Sequence, residues 1–135
     1  MSLSFSIKLY LATLGIFLAI DLLWLGLVAR TLYRKYLGYL MSANVNWSAA
    51  LLFYLIFITG LLIFVVIPAL KSGSFSQAVW MGALFGLVTY ATYDLTNLAT
   101  IKDWPLPITL VDMLWGIILS VTVTASSFWL GRWLL

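Results

Sequence analysis

Leu11 to Ala29 reads LATLGIFLAIDLLWLGLVA, and this stretch decides how the rest of the chain is read. Its only charged residue is Asp21. At about 1.5 Å per residue, a helix of this length nearly covers a hydrocarbon core of about 30 Å. A carboxylate inside hydrocarbon costs roughly 2.5–3.5 kcal/mol on insertion scales. Asp21 therefore needs a neutral form, a partner or water, and it marks a candidate functional site.

The same pattern recurs outward from this stretch. Ile7–Val28, Ser48–Leu70, Ala78–Thr100 and Pro107–Leu130 each reach the roughly 20 residues that a crossing helix needs. Lipid offers no partners to free backbone groups, so these spans must be helical. The expectation is an all-α integral membrane protein. It would be one domain, residues 1–135, folded as an antiparallel bundle of four transmembrane helices. Composition agrees: the chain is 64% hydrophobic and 8% charged, against about 25% charged in soluble domains. There is no cysteine, so disulfides and thiol nucleophiles are excluded, and no histidine, the commonest general base. The net charge of +3 comes from scattered cations, whose densest group is Arg30, Arg34 and Lys35. That is no nucleic-acid footprint, and these cations are expected to meet lipid headgroups. The apolar N-terminal stretch contains Asp21 and lacks a small-residue cleavage site, so it reads as the first span.

The connections differ in kind. IKDWPL is short and makes spans three and four a hairpin, with Pro105 and Pro107 suited to a helix stop and restart. KSGSFSQ is a polar turn preceded by Pro68, a helix breaker. After span one, Leu32, Tyr33, Tyr36, Leu37, Leu40 and Met41 recur at helical spacing. They predict either a short interfacial helix with its apolar side toward lipid or an extension of span one. Trp47, Trp80, Trp104, Trp129 and Trp133 lie near span ends, as an aromatic belt would. Cations number four on the face reached after span one and three on the other, a slight bias toward the first being cytoplasmic.

Three of the four acidic residues, Asp21, Asp94 and Asp112, fall inside spans. Antiparallel threading displaces them roughly 5, 8 and 10 Å from the midplane, all toward the face reached after span one. Each has companions three or four residues away on its own helix face. Trp24 accompanies Asp21, Tyr90 and Asn97 accompany Asp94, and Thr109, Trp115 and Gly116 accompany Asp112. Indole, phenol and amide groups can all donate to a carboxylate. DLLWLG at Asp21 and DMLWG at Asp112 echo one another, as two carboxylate–indole units facing one cavity would. Gly82 and Gly86, and Gly116, Ser120 and Thr124, form small-residue stripes for close helix packing. Asn44 and Asn46 are placed to cap a helix or to join the site from the loop after span one, with capping the favoured role.

The run YDLTNLAT at Tyr93–Thr100 is followed by Asp103-Trp104-Pro105. With IDLLWLG at Ile20–Gly26, Phe53-Tyr54, Pro68-Ala69 and VDMLWG at Val111–Gly116, it resembles a bacterial family of small four-span membrane proteins catalogued as a domain of unknown function. The resemblance covers nearly the whole chain. It implies residence in the bacterial inner membrane and no particular activity.

The residues favour a site that binds or modifies a lipid or isoprenoid-like amphipathic ligand. Asp21, Asp94 and Asp112 would serve as acid and base if the protein is an enzyme, with Trp24, Tyr90, Asn97 and Trp115 contacting ligand. Three aspartates could hold Mg²⁺ or Ca²⁺ through oxygen, but no known metal-motif spacing is present, and no metal or cofactor is assigned. A proton or cation transporter with an aspartate relay is the first alternative, and four helices would then need a homo-oligomer or a large rearrangement to provide a path. A structural or accessory subunit, with the aspartates as interhelical glue, is the second.

Overall fold

Ser2 accepts a hydrogen bond from the Phe5 N–H at 3.2 Å and starts helix α1, Leu3–Leu23, in the computed structural model, which describes residues 1–135. A π-helical turn follows at Trp24–Val28, closed by the Ala29 N–H on the Trp24 carbonyl at 2.8 Å. Ala29 breaks the direction, and α2 runs over Arg30–Leu37. Of the two expectations for this segment, the separate short helix is the one observed.

Asn46 caps α3, Trp47–Leu61, by accepting from the Ala49 N–H at 3.1 Å. A second π turn at Leu62–Val66 leads into α4, Ile67–Ser72. Pro68 therefore does not end the helix as its sequence suggests. The wider turn just before it accommodates the proline, and the helix continues to Gly73, whose φ of 68° makes the stop. Ser74 caps α5, Phe75–Thr100, and Pro107 sits in the first turn of α6, Leu106–Leu134. Asn44 caps nothing; its carbonyl accepts from the Ser42 hydroxyl.

Three helical stretches are long and apolar enough to cross a membrane: Leu3–Val28, Trp47–Ser72 and Leu106–Leu134. They match three of the four expected spans. The remaining stretch, α5, has 26 residues but a more polar composition.

Packing follows rows of residues four positions apart. The buried residues of α1 are Phe5, Leu9, Thr13, Phe17 and Asp21. α5 buries Ala78, Gly82, Gly86 and Asp94 on the same spacing, with Tyr90 completing the row. Both rows meet α6, and α5 against α6 is the most extensive helix pair. A Cβ on Gly82 would come 2.9 Å from Thr124 Oγ1, and one on Gly86 would come 2.8 Å from Ser120 Cβ. The small-residue stripes are thus packing surfaces, as expected. Thr13 and Ser127 share a buried hydrogen bond of 2.9 Å between α1 and α6. Thr109, Ser120, Thr124 and Ser127 are fully buried, whereas Leu27, Phe64, Val88, Leu110 and Leu114 are exposed. Small hydroxyls inside and large apolar side chains outside are what a lipid solvent favours.

Four of the five tryptophans near span ends, Trp47, Trp80, Trp129 and Trp133, are exposed. Trp104 is the exception. It turns inward, donates to Thr109 Oγ1 at 3.0 Å and packs edge-on to Tyr93. That bond commits Thr109 to the first turn of α6, where it also donates to the Pro105 carbonyl at 3.1 Å.

Candidate functional site

The buried rows of α1 and α5 both terminate in an aspartate, and both termini face the same portion of α6. Asp21 is 7% exposed and Asp94 1%. Asp112 projects from α6 between them and is the hub of the site.

Asp112 and Asp21 line one cavity of about 210 Å³, together with Trp24, Tyr33, Tyr54, Tyr90 and Trp115. Asp112 and Asp94 line a second of about 800 Å³, together with Arg30, Tyr33, Arg34, Tyr54 and Tyr93. A third opening of about 330 Å³ reaches Asp112 past Phe53, Thr89, Tyr90 and Tyr93. The three aspartates do converge, but as two pairs sharing Asp112 and not as one triad. No three of them form a group placed to hold a metal ion.

The two carboxylate–indole units are crossed. Each tryptophan follows its own aspartate by three residues, which suggests pairing within each helix. Instead Trp115 of α6 donates to Asp21 Oδ1 of α1 at 3.3 Å. Trp24 lies flat against Trp115, ring centroids 4.3 Å apart and planes 7° from parallel. Its indole N–H points to the Tyr33 hydroxyl at 3.4 Å, and that hydroxyl donates to Asp112 Oδ1. Both indoles thereby lie between the two carboxyls.

Tyr33 is the residue that sequence reasoning missed. Its helical spacing with Tyr36, Leu37 and Leu40 assigned it to a lipid-facing stripe. In the fold, α2 turns this side chain inward onto Asp112. Burial, and then the negative charge of Asp112, pushes its phenol well above the ordinary value of about 10. Tyr33 is therefore a proton donor to the carboxyl throughout the physiological range. The sequence signal was present only as a tyrosine among Arg30, Arg34 and Lys35. Tyr54, on α3, also lines both main cavities.

The Asp94 and Asp112 carboxyls both line the large cavity. Asp94 Oδ2 is buried without any partner. Of the other expected residues, Trp24, Tyr90 and Trp115 line the smaller cavity. Asn97 lines none of the three openings and lies beside Tyr93. Arg30 and Arg34 line the large cavity; Lys102 does not.

The arrangement offers an amphipathic chamber: two cations and a phenol on α2, carboxyls on α5 and α6, and apolar walls from Leu22, Leu25, Val45 and Ile108. Its volume lies within the range of small-molecule pockets, about 300–1,000 Å³.

A family model described as Predicted membrane protein (DUF2177) matches residues 6–129. No curated protein and no solved structure matches the chain.

Proposed function

Since the chain belongs to that family of predicted membrane proteins, we propose that it crosses the membrane four times and holds an amphipathic lipid or isoprenoid-like ligand in the chamber beside Asp94 and Asp112. α5 supplies the fourth crossing. It runs antiparallel to α6 through a five-residue link, Ile101–Pro105, and its glycine row lies against α6 along its length. Its lower apolarity comes from Tyr90, Tyr93 and Asp94 at the site and from Ser76, Gln77, Asn97 and four threonines along the helix. A helical bundle of this kind belongs in an inner membrane rather than among the barrels of an outer one.

One observation carries the ligand reading. A single chamber of about 800 Å³ combines two arginines, an unpartnered buried carboxyl oxygen and apolar walls. A purely structural aspartate would have its acceptors filled, because a buried unsatisfied group costs about 1–3 kcal/mol. Asp112, reached from every opening and held by Tyr33, is placed as the acid–base group if the bound lipid is modified. Trp24, Tyr90 and Trp115 wall off its other side.

Native mass spectrometry of gently purified protein tests this reading. A lipid should remain bound to the wild type and be lost when Arg30→Gln and Arg34→Gln are combined, while that variant stays monodisperse. Protein that carries no lipid, or an Asp94→Asn variant that fails to fold, would favour interhelical glue instead.

A proton or cation relay is favoured by a different observation. Ser120 and Thr124 continue inward from Asp112 along α6, and both hydroxyls are fully buried without hydrogen-bond partners. Ser127 and Thr13 extend the line. In this reading reconstituted vesicles would show flux reduced by Asp112→Asn and by Ser120→Ala; vesicles no leakier than empty ones would exclude it.

A further inference from the structure

The lipid chamber is lined by groups of opposite charge, the exposed guanidiniums of Arg30 and Arg34 and the buried carboxyl of Asp94. Arg30 and Arg34 lie one helical turn apart on α2, so both guanidinium groups share a face. Planar guanidinium forks match phosphate oxygens better than any other side chain. In the same chamber, Asp94 Oδ2 is an acceptor with no donor, on a residue 1% exposed. Such an oxygen can accept an N–H or O–H from a ligand, and an ammonium offers three. The ring of Tyr93 lines the same wall and presents an aromatic surface to a cation. Tyr33 lines the chamber too, carried by the same helix as the arginines and bonded to Asp112.

We propose that the chamber selects a zwitterionic headgroup, with a phosphate at Arg30 and Arg34 and a primary ammonium at the Asp94–Asp112 pair. The proposal rests on the reading of the chamber as a ligand site and specifies its chemistry. A purely anionic headgroup satisfies the arginines and leaves the Asp94 oxygen without a donor. A purely cationic one does the reverse. A phosphoethanolamine group answers both, and it can come from a membrane phospholipid or from a free phosphoamine.

The test uses delipidated full-length protein in detergent, with binding read by native mass spectrometry and by thermal stabilisation. The probes are dioleoylphosphatidylethanolamine, dioleoylphosphatidylglycerol and soluble phosphoethanolamine. The ethanolamine lipid should bind about tenfold more tightly than the glycerol lipid, the value of one charge-assisted hydrogen bond. Asp94→Asn should erase that preference while keeping affinity for the glycerol lipid. The pair Arg30→Gln and Arg34→Gln should weaken both lipids together. Binding of the soluble probe as tight as that of the lipid assigns the same chemistry to a free ligand; weaker binding assigns it to the membrane.

Equal affinity of the wild type for the two lipids overturns the proposal, as does a preference that survives Asp94→Asn. In either case the lipid site itself would stand. Failure of the wild type to bind all three probes, with Arg30→Gln and Arg34→Gln equally inert, would remove the lipid site as well. If Asp94→Asn does not fold, the wild-type ratio and the arginine variants decide alone.

Discussion

Tyr33→Phe removes one oxygen and should release α2 from the bundle. This short helix touches α6 sparingly, and the Tyr33 hydroxyl is its side-chain hydrogen bond to that helix. The second tether comes just after α2, where the Tyr39 hydroxyl donates to the Asp103 carbonyl at 3.1 Å at an exposed position. A hydrogen bond to a charged group contributes about 1.5–3 kcal/mol, and Tyr33 is only half-buried, so the lower part, about 1.5–2 kcal/mol, applies. That converts to roughly 10- to 30-fold more frequent undocking. Hydrogen–deuterium exchange of the amides of Arg30–Leu37 in detergent micelles reads it directly. Their exchange should accelerate by that factor, while those of α5 and α6 hold steady. Tyr36→Phe is the control, since the Tyr36 ring meets the Lys35 amine 5.2 Å from its centroid and no part of the site. Equal exchange in wild type and Tyr33→Phe would refute the claim that this phenol holds the helix in place.

Three further outcomes are expected. Gly86→Ala drives a Cβ into Ser120 Cβ and the Gly116 backbone and should cost about 1–3 kcal/mol; Gly15→Ala, with nothing within 4 Å of its Cβ, should be neutral or mildly stabilising in the same denaturation assay. Ser127→Ala and Thr13→Val should each destabilise modestly, and their double-mutant cycle should give a coupling of about 0.6 kcal/mol, the mean for hydrogen bonds between membrane helices. The raised Tyr33 phenol should remain protonated when exposed tyrosines ionise near pH 10, so ultraviolet titration of Tyr33→Phe should show the same absorbance step up to pH 11 as the wild type. The sign follows from linkage: the folded state holds this proton more tightly than the unfolded one, so stability is fully present below about pH 10 and declines as pH rises beyond it.

Helix content, the antiparallel hairpin of α5 and α6, and the glycine packing were all legible, because each depends on local composition or fixed spacing. Convergence of Asp21, Asp94 and Asp112 was legible from threading alone, since depth in a helix is set by residue count. Partner choice was not. Residue spacing places Trp24 beside Asp21 on one helix, but which carboxyl its ring serves depends on how α1 is rotated against α6. The rotation is fixed by the row from Phe5 to Phe17, which no local rule reads. Tyr33 escaped for a related reason. Eight residues of amphipathic helix look alike whether their aromatic side meets lipid or protein, and the π turn that aims α2 has no sequence signature. Asn97 was drawn in by its position three residues after Asp94, yet that helix face has already rotated toward Tyr93. Pro68 misled because proline reports a local strain and not how the preceding turn relieves it.

The π turn at Trp24–Val28 sets a tolerance for length changes in this part of the chain. Each residue of a regular helix advances the side-chain direction by about 100°. One residue added or removed between Asp21 and Tyr33 would swing a different side chain over Asp112 and send the arginines elsewhere. The turn at Ser42–Asn44 is under no such phase constraint, since Asn46 restarts the next helix. Natural insertions and engineered tags should therefore survive in the latter segment and fail in the former, although the two lie fewer than twenty residues apart.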